Sequence, residues 1–92
     1  MDTSFFKSKE FRSLLNRYEQ MQEYGINSYF SSDDLLEIAS YYLFKNKSID
    51  AENVISYARK LYPNDPQITE AEIRTLLSKG EIQEARRKLN GL

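Results

Sequence analysis

Residues 32–65 read SDDLLEIASYYLFKNKSIDAENVISYARKLYPND. Two apolar stripes lie in this stretch, separated by a polar turn. Leu35, Ile38, Ala39 and Tyr42 recur at spacings of three and four, which places them on one face of a helix. Ser31 or Ser32 is placed to cap its start, with Asp33, Asp34 and Glu37 near the positive end of the helix dipole. Leu36, Leu43 and Phe44 occupy a second face, so this helix is expected to pack on two sides. The turn Lys45-Asn46-Lys47-Ser48 breaks it. A following helix over Ile49–Tyr62 carries Ala51, Val54, Ile55, Ala58 and Leu61 on one face. Pro63 ends it, because proline lacks an N–H and restricts the residue before it.

Outward from this pair, the same logic extends in both directions. Asp65 and Pro66 supply a cap and a first helical residue. The helix they start runs to about Lys79, with Ile68, Ala71, Ile73, Leu76 and Leu77 as its apolar set, and Gly80 closes it. A last helix begins near Ile82 and carries Ala85 and Leu89. On the other side, Phe11, Leu14, Leu15, Tyr18 and Met21 line a leading helix that Gly25 ends. Ile26–Phe30 is a connector whose two aromatics, Tyr29 and Phe30, are expected to tuck against the body. The spacing leaves open whether Phe5 and Phe6 extend the leading helix or fold separately.

The chain is therefore expected to be all-α, with about five helices in one cooperative unit. Three segments are expected: 1–31 as leading helix and connector, 32–65 as a first helix pair, and 66–92 as a second, incomplete one. The pairs register at an offset of 34 residues, with Tyr42 on Leu76, Asn46 on Gly80, Ala51 on Ala85 and Ile55 on Leu89. Leu35, Ile38, Ala39, Tyr42, Ala51, Ile55, Ala58 and Pro63 fall in the large, large, small, aromatic, small, large, small, proline order of the tetratricopeptide repeat. Residues 32–65 thus resemble one full repeat of that family, and 66–92 most of a second. Thr69 and Glu72 depart from the pattern by replacing large apolar residues, and Ile73 by replacing a small one. The run Leu14–Glu19 ahead of Gly25, with Tyr29-Phe30, resembles the leading element of long bacterial tetratricopeptide proteins.

Composition excludes several functions. The 92 residues contain no Cys and no His, which removes disulfides, thiolate nucleophiles and the commonest general base and metal ligand. No Gly-rich phosphate loop and no long apolar run occurs. The net charge is −1, and the three segments carry 0, −2 and +1, so none has the basic excess that drives phosphate binding. A soluble, cytoplasmic, non-enzymatic chain without cofactor or metal is expected, binding neither nucleic acid nor membrane. Asp33, Asp34 and Glu37 read as dipole compensation rather than an acid–base site. Arg86-Arg87-Lys88 reads as favourable charge at a helix end rather than a nucleic-acid patch.

The resemblance implies a protein-interaction or scaffold module whose groove receives a peptide segment or a helix of a partner protein. In this register the groove-facing positions are Asp33, Leu36, Ser40, Leu43 and Phe44, then Gln67, Glu70, Arg74, Leu77 and Ser78. Leu36, Ser40, Leu43, Phe44, Glu70 and Arg74 are its expected contacts. The leading helix could instead lie in that groove and bury Phe11, Leu15 and Tyr18 there. Leu76, Ile82, Ala85 and Leu89 form an apolar surface at the other end. Such a surface is expected to continue into a longer repeat array or to associate into a homodimer.

Overall fold

Side-chain caps start three of the helices, those that begin at Lys9, Ser32 and Pro66. The computed structural model describes residues 4–91; the ends of the first and last expected segments, residues 1–3 and 92, lie outside the described residues. A 3-10 turn over Ser4–Lys7 precedes α1 (Lys9–Tyr24), so Phe5 and Phe6 fold separately from the leading helix. The Ser8 hydroxyl accepts the Phe11 N–H at 3.1 Å, and Gly25, at φ 69°, closes α1 by donating its N–H to the Met21 carbonyl. A left-handed residue at this position suits glycine, which has no Cβ to clash. α2 (Ser32–Phe44) begins with a capping box: the Ser31 hydroxyl accepts the Asp34 N–H and the Asp34 carboxylate accepts the Ser31 N–H. α3 (Ser48–Leu61) starts one residue earlier than the apolar pattern suggests. α4 (Pro66–Ser78) opens with Asp65 accepting the Gln67 N–H and with Pro66 as first residue, and α5 (Ile82–Asn90) follows.

The turns after α2 and α4 repeat one another. Asn46 and Gly80 both have positive φ, at 60° and 80°. Lys47 donates to the Tyr42 carbonyl at 2.8 Å, and Glu81 donates to the Leu76 carbonyl at 2.9 Å. These bonds span five residues and satisfy carbonyls that the helix end leaves unpaired. The 34-residue spacing is thus present in the backbone itself.

The core forms where α1, α2 and α3 meet and extends to α4. Leu35, Ile38, Ala39 and Tyr42 of α2 and Ala51, Val54, Ile55 and Ala58 of α3 are all buried. The alanines admit close approach of the two helices, and the larger residues fill the space beside them. α1 packs on α2 through Phe11, whose ring centroid lies 5.3 Å from that of Tyr41, and through Glu19, which accepts the Tyr42 hydroxyl at 3.0 Å. Phe30 is fully buried, edge-on to Tyr18 and beneath the Arg17 guanidinium. Tyr62 donates its hydroxyl to the Phe30 carbonyl at 2.5 Å, tying the connector to the end of α3.

Five expectations of burial are corrected. Tyr29 points outward, 76 % exposed, because Phe30 alone fills the site beside Tyr18. Leu61 is exposed in the last turn of α3, where Tyr62 makes the closing contact instead. In α4, Leu77 is exposed and Ile73 and Leu76 are only half-buried, since the short α5 covers that side in part. Thr75 is buried there instead, its hydroxyl bonded back to the Ala71 carbonyl at 2.9 Å.

The polar substitutions in the second pair are explained by Arg59. Its guanidinium donates to the Pro63 carbonyl at 2.9 Å, to the Thr69 hydroxyl at 2.5 Å and to the Glu72 carboxylate at 2.8 Å. Thr69 and Glu72 therefore meet α3 through charge-assisted hydrogen bonds where apolar contact was expected. Among the described residues the structure is all-helical and contains no strand.

Candidate functional site

α2 and α4 lie side by side and leave a hollow of about 220 Å³ between them. Leu36, Ala39 and Leu43 from α2 and Ala71 from α4 supply its apolar wall. Ser40, Gln67, Glu70 and Arg74 add hydroxyl, amide and charged groups. The side chains of Glu70 and Arg74 approach to 3.6 Å one helical turn apart, and both stay more than half exposed. Such a weak surface pair leaves the guanidinium free to exchange partners.

Five of the six expected contacts, Leu36, Ser40, Leu43, Glu70 and Arg74, converge here, with Gln67 beside them. Phe44 does not. It turns toward Phe6, ring centroids 5.7 Å apart, and joins the aromatic group of Phe6, Phe11 and Tyr41. Successive side chains on a helix diverge by about 100°, so Leu43 and Phe44 serve different neighbours. Asp33, Leu77 and Ser78 also lie outside the hollow; the Ser78 hydroxyl is paired with that of Ser48 at 3.2 Å. The small residues Ala39 and Ala71 were missed as lining. Their signal was present, because a small side chain that admits a neighbouring helix also leaves room beside it.

The leading helix does not fill this hollow. Phe11 and Tyr18 are buried, but against Tyr41 and Phe30, and no residue of α1 lines the hollow.

A second surface involves α4 and α5. Ile82, Ala85 and Leu89 surround a hollow of about 190 Å³ with Ile73, Leu77 and Arg86. Leu77, Ile82 and Leu89 are each more than half exposed. Leu76, expected in this group, faces a different recess with Ile55, Thr75 and Lys88, since it lies a third of a turn from Leu77.

The remaining charged motifs resolve locally. Asp34 caps α2, and burial together with the Asp34 and Asp33 carboxylates raises the Glu37 pKa above its ordinary value. Arg86, Arg87 and Lys88 part company: Arg86 borders the apolar hollow, Arg87 pairs with Glu84, and Lys88 lies 3.9 Å from Glu72. Among the described residues, no three carboxylates come together to hold a metal ion, and no helix is long and apolar enough to cross a membrane. Comparison of the chain with family models, curated proteins and solved structures finds no match in any of the three.

Proposed function

We propose that this chain is a non-catalytic protein-interaction module of tetratricopeptide type, and that the hollow between α2 and α4 receives a segment of a partner protein. The open, mixed apolar and polar wall formed by Leu36, Leu43, Glu70 and Arg74 carries this reading. An apolar floor supplies burial and a few placed polar groups supply orientation, the combination that recognition sites use. The repeated turns at Asn46 and Gly80 support a helical-repeat architecture, in which such units serve as scaffold within a longer cytoplasmic array. A peptide-display selection on the chain, repeated on Leu43→Glu and Arg74→Glu, tests the reading. Peptides retained by the parent and lost by both variants at unchanged melting temperature support it. Retention by both variants overturns it.

A second reading, self-association, has its own observation: Leu77, Ile82 and Leu89 expose 54, 57 and 56 % of their surface around one hollow. Light scattering on the parent and on Leu89→Glu tests it, because a charge placed in such a contact would release monomers. A monomeric parent at high concentration rejects it.

A further inference from the structure

A cleft of about 400 Å³ lies between α1, α2 and α3, away from both surfaces described above. Its rim carries Glu19 and Glu23 from α1 and Asp50 from α3, all exposed, with the amides of Gln22 and Asn53 between them. No basic residue lines it. Elsewhere Glu52, Glu70, Glu72, Glu81 and Glu84 each meet a lysine or arginine. Among the described residues, the carboxylates of Glu19, Glu23 and Asp50 form no ion pair. Acidic residues grouped in this way repel one another and draw cations.

Charge alone would describe many surfaces, but the floor of this cleft is unusual. Tyr18 lines it and is only 2 % exposed, and its hydroxyl is buried without a hydrogen-bond partner. Leaving a buried hydroxyl unpaired costs about 1–3 kcal/mol, so such groups are rare and call for an explanation. The field of Asp50 reaches this hydroxyl. Beside it, the Tyr42 hydroxyl already donates its hydrogen bond to Glu19. The floor therefore holds a buried, unpartnered hydroxyl beside carboxylates that form no ion pair.

We infer that this cleft binds an aliphatic ammonium group, either the lysine side chains of a basic segment or a free polyamine. The carboxylates do not converge tightly enough to hold a metal ion. Spread around a cleft, they suit a ligand with several separated positive charges. A primary ammonium carries three donors, matching the carboxylates at the rim and the free lone pairs of the Tyr18 hydroxyl at the floor.

Amide-resolved NMR titrations with spermidine, with an acetylated lysine tetrapeptide and with magnesium, at low and at physiological salt, test the inference. Saturable shifts confined to residues 18–23, 42 and 50–53 are expected from at least one organic cation, and the better of the two identifies the source. Asp50→Asn combined with Glu23→Gln should weaken that binding about tenfold or more, since each removes a charge partner. Tyr18→Phe should weaken it severalfold at an unchanged or higher melting temperature, while Glu81→Gln with Glu84→Gln leaves it unaltered. The inference is overturned by unsaturable or scattered shifts, by magnesium binding as tightly at the same amides, or by a Tyr18→Phe variant that binds like the parent.

Discussion

Asn46 and Gly80, 34 residues apart, hold the backbone in the same left-handed turn, at φ 60° and 80°. Each follows a helix whose carbonyls are closed by an N–H one residue further on, from Lys47 and from Glu81. Asparagine and glycine are the residues that enter this region at least strain. A Cβ at Gly80 would meet nothing within 4 Å, so only the backbone conformation opposes a larger residue there. Gly80→Ala should therefore lower stability by about 1–2 kcal/mol. Asn46→Gly should leave it within about 0.5 kcal/mol. Urea denaturation measures both, and a neutral Gly80→Ala would contradict the turn geometry.

Close approach of α2 and α3 depends on small residues. Ala39 and Ala58 are 2 % and 1 % exposed, so both are buried in the contact that a larger side chain would have to widen. Ala39→Leu or Ala58→Leu should cost about 1–3 kcal/mol through overpacking. Unchanged denaturation midpoints in both would refute this packing.

Arg59 joins α3 to α4 with its partner carboxylate and itself both less than a third exposed. A double-mutant cycle of Arg59→Met and Glu72→Gln should give a coupling of about 1 kcal/mol, at the upper end for surface pairs. Replacing Arg59, Thr69 and Glu72 together by leucine should hold or raise stability, because an apolar contact then replaces the polar one and Lys88, which loses Glu72, stays about a third exposed to water. Thermal melts of the single, double and triple variants decide this; strong destabilisation of the triple variant would show that the polar clamp cannot be exchanged.

Phe44 and Leu43 should separate stability from binding. Phe44→Ala removes a ring that packs on Phe6 and should lower stability by about 1 kcal/mol while leaving the α2–α4 hollow intact. Leu43→Glu should do the reverse. Melting temperature and affinity for a selected peptide, measured on both variants, would contradict this if their effects were exchanged.

Burial, with smaller contributions from Tyr57 and Asp50, pushes the Tyr18 pKa from 10.0 to about 12. The folded state thus keeps this proton where the unfolded state releases it. Below pH 10 both states hold the proton and stability is independent of this group. Between pH 10 and 12 unfolding releases a proton, so stability falls as pH rises. Tyr18→Phe should flatten that fall in a chemical-denaturation series, and an equally steep fall would assign the effect elsewhere.

Local chemistry made the helices legible in the sequence. Ser31, Asp65 with Pro66, Gly25 and Gly80 act within a few residues of themselves, so caps and breaks could be placed from spacing alone. Periodicity likewise placed Leu35, Ile38, Ala39, Ala51, Ile55 and Ala58 on buried faces, and the resemblance to the tetratricopeptide repeat implied that Leu36, Ser40, Leu43, Glu70 and Arg74 share one groove. Tertiary structure decided what each face meets. It put α1 against Tyr41 and Tyr42 instead of in the groove, turned Phe44 to Phe6 and Leu76 away from Leu89, and threaded Arg59 to Thr69 and Glu72. It also buried the Tyr18 hydroxyl without a partner. Helical spacing fixes the direction of a side chain only to within a sector of the helix surface. Which neighbour occupies that sector depends on contacts between residues far apart in the chain, and those exist only once the helices have packed.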